Sequence, residues 1–97
     1  MPDQANSKNI QIKVSDEALK GSYANMMVVS HTQEEFVLDF MNVVAPNGIV
    51  SARVITSPGH LKRIIAALTD NLKKYESQYG AVKNAPAPLN PEIGFKS

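Results

Sequence analysis

The stretch SPGHLKRIIAALTDNLKKYESQYG, residues 57–80, decides the fold because it predicts one long amphipathic helix. Its apolar residues recur at alternating steps of four and three: Leu61, Ile65, Leu68, Leu72, Tyr75 and Tyr79. Side chains at this spacing share one side of an α-helix, and that side needs an apolar cover. The predicted helix is about 22 residues, or roughly 33 Å, long, which is enough to cross a small sheet.

Both ends of this helix are marked by residues that favour helix termini. Ser57 can accept a hydrogen bond from an early helical N–H, and Pro58 has the fixed φ that suits the first helical position. Gly80 can adopt the left-handed conformation that ends a helix. Asp70 and Lys74 are four residues apart and predict an ion pair on the polar side.

The residues before the helix predict β-structure. Residues 10–14 alternate apolar and polar side chains, as expected of a strand with one face in water. Residues 22–30, 34–44 and 49–56 predict three further strands, and Ala45-Pro46-Asn47-Gly48 predicts a tight turn. Residues 15–21 read as a turn or a short helical segment. The fold class is therefore α+β, a four-stranded antiparallel meander followed by one long C-terminal helix.

Three of these strands carry apolar residues on both faces, whereas a half-buried antiparallel strand should alternate. In the strand 34–44, one parity contains Phe36, Leu38 and Phe40, and the other contains Val37, Met41 and Val43. In the last strand, parity groups Ile49 with Ile55 against Val50, Ala52 and Val54. One helix can cover one face of the sheet. We therefore expect the chain to oligomerise through the second sheet face; alternatively, the strands are shorter and their second faces lie under loops.

Composition limits the chain to one domain with tails. It has 97 residues, of which 43% are hydrophobic and 20% charged, and it has a net charge of +1 and no cysteine. We expect a polar, mobile lead over residues 1–8, a domain over residues 9–80, and a proline-rich flexible tail over residues 81–97. No run of residues predicts a signal peptide or a membrane span, and the absence of cysteine is compatible with a reducing compartment. A cytoplasmic protein is expected.

The ionisable residues predict structure rather than catalysis. His31 and His60 have no further ligands at metal-site spacing. Asp39 and Arg53 interrupt apolar strands and invite a cross-strand ion pair; a five-residue loop would place them opposite each other, and a four-residue loop would place them on different faces. Asn25 predicts a satisfied buried amide or an interface contact. We therefore expect no enzyme activity, no cofactor and no metal site.

Several separated motifs resemble a known family of bacterial and archaeal proteins. They are GSYAN at 21–25, EFVLDF at 35–40, ARVITSPGHLKR at 52–63, Asn71, Tyr75-Glu76 and Tyr79-Gly80. This pattern, which spans about residues 10–82, resembles the family catalogued as domain of unknown function 3467. The resemblance implies no activity and no catalytic residue. The predicted order of four strands and a long helix is also similar, in topology alone, to the SecB export chaperone.

Two functions follow as hypotheses. The first is a non-catalytic homo-oligomeric binding module for protein or peptide partners, either chaperone-like or a scaffold. Its candidate contact residues are Tyr23, Asn25, Met27, Asp39, Met41 and Arg53. The alternative is a nucleic-acid or anion-binding module at the start of the helix. Its candidate residues are Ser57, Gly59, His60 and Arg63.

Overall fold

The computed structural model describes residues 9–88. Its elements, in chain order, are helix α1 (Asp16–Lys20), strands β1 (Met26–His31), β2 (Phe36–Val44) and β3 (Asn47–Thr56), and helix α2 (Pro58–Tyr79). The predicted lead over residues 1–8 and the part of the predicted tail at 89–97 lie outside the described residues. Residues 81–88 belong to no helix or strand.

The three strands form one antiparallel sheet in the order β1-β2-β3. The central strand β2 pairs with β1 from Met26↔Met41 to His31↔Phe36, and with β3 from Phe36↔Thr56 to Val44↔Asn47. The α+β class, the antiparallel sheet and the C-terminal helix are as the sequence predicts. The strands at 22–30, 34–44 and 49–56 are present with slightly different ends.

Residues 10–14 do not form the predicted first strand, so the described sheet has three strands rather than four. Ile10, Ile12 and Val14 are exposed and have no ladder partner. Alternation gives a segment one apolar face, but a strand also needs a neighbouring strand that forms hydrogen bonds with its backbone. In the single subunit no described strand pairs with residues 10–14. The chain instead continues into α1, where the Ser15 hydroxyl accepts a hydrogen bond from the N–H of Ala18.

Helix α2 begins and ends where its terminal residues predict. The Ser57 side chain accepts a hydrogen bond from the His60 N–H at 3.1 Å, and Pro58 occupies the first turn. Gly80 has a φ of 96°, which favours glycine, and its N–H donates to the Glu76 carbonyl. The predicted ion pair between Asp70 and Lys74 is present at 3.7 Å on the exposed side.

The helix does not cover the sheet of its own chain, contrary to the expectation that it shields one face. It makes no extensive contact with any described strand, and its apolar side remains open: Ile65 is 56%, Leu68 66% and Leu72 50% exposed. The reason lies in the connection, since only Ser57 separates β3 from α2 and its backbone is extended (φ −78°, ψ 158°). One extended residue leaves no loop in which the chain could turn back over the sheet.

Both faces of the sheet are apolar, and a bulge decides which residues share each face. Phe40 pairs with Ala52 but Met41 pairs with Val50, so Ser51 is an additional residue in β3. Ile49 and Ile55, which parity predicts to share a face, therefore lie on opposite faces. What we call the Phe40 face carries Met27, Val29, His31, Phe36, Leu38, Phe40, Asn42, Val44, Asn47, Ile49, Ala52, Val54 and Thr56. What we call the Asp39 face carries Met26, Val28, Val37, Asp39, Met41, Val43, Val50, Arg53 and Ile55.

The subunit has almost no core. Among the described residues the buried apolar side chains are Leu38, Met41 and Val43, at 5%, 4% and 4% exposure. The radius of gyration is 17.4 Å, whereas a compact chain of this length would have about 12 Å. An isolated subunit thus leaves most of its apolar surface in water.

Candidate functional site

The polar centre of the sheet is an ion pair between Asp39 on β2 and Arg53 on β3. The Nε of Arg53 lies 2.6 Å from one carboxylate oxygen of Asp39, and a terminal guanidinium nitrogen lies 2.9 Å from the other. This two-point contact matches the planar fork of arginine to a carboxylate. The Asp39 side chain is 6% exposed and that of Arg53 is 59% exposed, so the acid is buried and the base reaches solvent.

The bulge is what brings the two residues together. Val44 pairs with Asn47 across the two-residue connection Ala45-Pro46, a register that by itself would place Asp39 and Arg53 on different faces. Ser51 shifts the register by one residue, so Asp39 faces Arg53 directly. The cross-strand pair expected from the sequence is therefore present, although neither of the two loop lengths considered there accounts for it alone.

The hydrogen bonds from Arg53 lower the pKa of the Asp39 carboxyl below its ordinary value, with a further lowering by the positive charge. Burial raises this pKa, and its effect is smaller than that of the hydrogen bonds but larger than that of the charge. The same hydrogen bonds raise the pKa of Arg53. Asp39 is therefore ionised at neutral pH, and both of its oxygens are engaged by the guanidinium. This arrangement suits a structural pair better than a proton donor.

Asn25 directly precedes β1, and its side chain continues the pairing between β1 and β2. Its amide donates to the Val43 carbonyl and accepts from the Val43 N–H, both at 2.9 Å, and its own N–H donates to the Met41 carbonyl. Two residues earlier, the Tyr23 carbonyl accepts a hydrogen bond from the Ser51 hydroxyl on β3. Residues 23–25 thus form a bridge that links β2 to β3. The Asn25 amide is satisfied as expected, but the residue is exposed rather than buried.

The six candidate contact residues do not form one site. Asp39, Met41 and Arg53 share the Asp39 face, whereas Met27 lies on the Phe40 face. Met41 is buried, while the side chain of Tyr23 is exposed beside the bridge. Sequence reasoning did not find the bridge or the bulge, because a serine within a strand is a weak local signal. The hydroxyl at Ser51 acquires its role only through a partner 28 positions away.

The candidate anion site at the helix start is partly occupied by the chain itself. The N–H groups of His60 and Leu61 both donate to Ser57, to its hydroxyl and its carbonyl respectively, and Pro58 has no N–H. These bonds remove donors that an anion would need. Gly59 and Arg63 are exposed in the first turns of α2.

The hairpin end contains a shallow, open depression of about 250 Å³. It is lined by Asn42, Val44, Asn47, Gly48 and Ile49, none of which is ionisable. Asp39, Arg53, Asn25 and His60 do not line it. Within residues 9–88 no group of three or more potential metal ligands comes together. His31 lies at the end of β1, with its ring centroid 5.2 Å from that of Phe36.

Comparison with known proteins gives a family but no activity. A family model described as a protein of unknown function, DUF3467, matches residues 1–84. No curated protein and no solved structure matches the chain. In the described part of the chain, neither helix combines the length and the apolar character that crossing a bilayer would require. The topological likeness to SecB stays a prediction.

Proposed function

Since the chain belongs to the DUF3467 family of proteins of unknown function, we propose a function from its geometry. The protein is a non-catalytic homo-oligomeric module that binds protein or peptide segments. The absence of cysteine supports a reducing, cytoplasmic setting. The proposal has two parts, self-assembly and partner binding, and different observations support them.

The observation that carries the proposal is the nearly absent core. Burying apolar surface stabilises a fold by about 25 cal/mol per Å², and three buried apolar side chains in residues 9–88 supply little of this. Obligate oligomers commonly lack a stable folded monomer. Assembly would supply the missing burial by covering a face of the sheet that α2 of the same chain leaves uncovered. It would also offer residues 10–14 a strand edge, so that the fourth strand forms in the oligomer.

Binding of extended segments is supported by the sheet edges and by the exposed apolar side chains. Strands β1 and β3 each have one edge that no described strand covers, and such edges pair readily with an extended peptide. Met27 is exposed on the edge strand β1, and methionine adapts to partners of varied shape. A binding role is favoured over catalysis because Asp39 is held by Arg53 and the depression at the hairpin end lacks ionisable side chains.

The test combines light scattering with binding of a fluorescent, unfolded, cysteine-alkylated model protein. We expect a mass above the 10.6 kDa of one chain, and an anisotropy that rises as the assembled protein is added. Tyr23→Ala should weaken binding without changing the mass. Leu19→Ala is the matched control, because Leu19 is about as exposed as Tyr23 (74% and 69%) but lies outside the candidate contact residues.

Each result separates one part of the proposal from the other. A monomer would overturn self-assembly. An oligomer that ignores the unfolded probe would overturn partner binding alone. Retention on duplex DNA that weakens with added salt would instead favour the module that uses Ser57, Gly59, His60 and Arg63.

A further inference from the structure

We propose that helix α2 of one subunit lies across the Phe40 face of a second copy, and that the exchange is reciprocal. This inference rests on the proposed self-assembly and adds to it which surfaces meet. The interface it describes is isologous, with the helix of each subunit covering the sheet of the other.

The helix offers an uncharged apolar side. Leu61, Ile65, Leu68, Leu72, Tyr75 and Tyr79 follow one another along α2, and none of its Lys, Arg, Asp or Glu residues interrupts this row. Tyr75 and Tyr79 extend the row as a tilted aromatic pair, with ring centroids 4.8 Å apart. Such a side requires an apolar cover of similar length, since the helix itself is roughly 33 Å long.

The Phe40 face provides that cover. Its central residues are Phe36, Leu38 and Phe40 on β2, flanked by Val29 on β1 and Val54 on β3. Strands of nine and ten residues extend about 30–33 Å, which matches the length of the helix. The face carries no Asp, Glu, Lys or Arg in the described strands, and its polar residues lie toward its two ends: His31 and Thr56 at one, Asn42 and Asn47 at the other.

The Asp39 face is the poorer partner for this helix. The Arg53 side chain is largely in water, and an apolar helix laid over it would remove that water without offering a polar group in return. The bridge of residues 23–25 also links β2 to β3 near Met41 and Val43, which are already buried. The large exposed apolar side chains of the strands also lie mostly on the Phe40 face: Met27, Val29, Val44, Ile49 and Val54, against Val50 and Ile55 on the Asp39 face.

We take a second copy as the occupant because the described part of the chain covers neither surface. Helix α2 makes no extensive contact with its own described strands, and on the Phe40 face Met27, Val29, Ile49 and Val54 are 47%, 44%, 69% and 45% exposed around the buried Leu38. The accessible surface is 8706 Å², whereas a compact protein of this mass would have roughly 5,500 Å². Burying only half of this difference in each subunit would give an interface of about 3,000 Å², a size typical of obligate dimers.

Pairing of two helices is the competing arrangement, because the steps of four and three along α2 also fit a short coiled coil. That arrangement would cover the helices but leave the Phe40 face in water. Helix on sheet covers both apolar surfaces with one contact, and on this ground we favour it.

The absence of cysteine allows a direct test by site-specific cross-linking. Leu68→Cys on the apolar side of α2 and Val54→Cys on the Phe40 face are prepared separately, mixed by unfolding and refolding, and treated with a short bis-maleimide. We expect the mixed pair to yield the predominant covalent dimer, identified by mass spectrometry. Circular dichroism and light scattering before cross-linking check that each variant folds and assembles.

Two matched controls define the orientation. Ile55→Cys is adjacent to Val54 in sequence and similarly exposed (56% and 45%), but it lies on the Asp39 face. Asp70→Cys lies on the polar side of the helix. We expect little cross-linked dimer from Ile55→Cys mixed with Leu68→Cys, or from Asp70→Cys mixed with Val54→Cys.

The outcomes separate this inference from the proposed function. Equal or stronger cross-linking of Leu68→Cys to Ile55→Cys, or of Leu68→Cys to itself, would overturn the inference. So would an oligomer that forms without a cross-link between Leu68→Cys and Val54→Cys. In all three cases self-assembly would stand, whereas a monomeric wild-type chain would refute self-assembly itself.

Discussion

At the scale of single residues, Asp39 is the charged group that the described chain buries. Because its folded pKa lies below the unfolded value of about 4, its ionised form contributes stability above that value. This contribution is lost as the pH falls below about 4 and through the lower folded pKa. We predict that Asp39→Asn has a lower free energy of unfolding than the wild type at pH 7, and that this difference in free energy shrinks as the pH falls through this range. Urea unfolding at stepped pH values measures it.

Glu17→Gln is the control for this prediction. Glu17 pairs with Lys20 at 3.5 Å, but both side chains are largely exposed, and such a pair contributes little to stability. Its removal should leave the pH profile nearly unchanged. If the free energies of unfolding of wild type and Asp39→Asn differed by the same amount from pH 7 to pH 3, Asp39 would not be the acid-sensitive group.

The candidate site shows how far sequence reasoning reaches at this scale. Charged residues within apolar strands correctly predict that Asp39 and Arg53 pair, since a buried charge needs a partner. Their register depended on the additional residue Ser51, and neither serine nor alanine in a strand signals a bulge. The bridge from Tyr23 to Ser51 could not be predicted from the sequence either, because its hydrogen bond joins distant positions.

At the scale of elements, the start of α2 depends on a hydrogen bond from the His60 N–H to the Ser57 hydroxyl. We predict that Ser57→Ala lowers the free energy of unfolding by about 1 kcal/mol, the usual cost of losing an N-cap. Urea denaturation followed by circular dichroism at a fixed protein concentration measures the change.

Ser77→Ala is the matched control near the other end of the helix. The Ser77 hydroxyl donates to the Lys74 carbonyl, a bond within the helix that competes with regular helix geometry. Alanine also has the higher helix propensity, so this variant should be as stable as the wild type or slightly more stable. Equal losses for both serines would argue against a specific cap at Ser57.

The helices and strands that depend on neighbouring residues in the sequence were predicted well, and those that depend on distant partners were not. The limits of α2 follow from Ser57, Pro58 and Gly80, which act within a few residues, and the structure confirms them. The strand expected at residues 10–14 depends on a neighbour that the single subunit lacks. The position of α2 relative to the sheet likewise depends on the short connection at Ser57 and on whatever covers the helix, and neither can be read from apolar spacing.

At the scale of the whole molecule, the folded subunit and the assembly are expected to form together. Folding that is coupled to dimerisation depends on protein concentration by mass action. Each tenfold dilution should remove about 1.4 kcal/mol of apparent stability per dimer. We predict that the midpoint of thermal unfolding falls by a few degrees for each tenfold dilution, as measured by circular dichroism at several concentrations.

A covalent dimer provides the control, because linking two chains makes their association intramolecular. The dimer cross-linked between Leu68→Cys and Val54→Cys should unfold at one temperature across the same dilutions, while the uncross-linked mixture of the two variants should follow the wild type. If the wild-type midpoint stayed constant over a hundredfold range, the few buried side chains of one subunit would have to hold its fold unaided. Folding would then be independent of assembly, and the proposed coupling would be refuted.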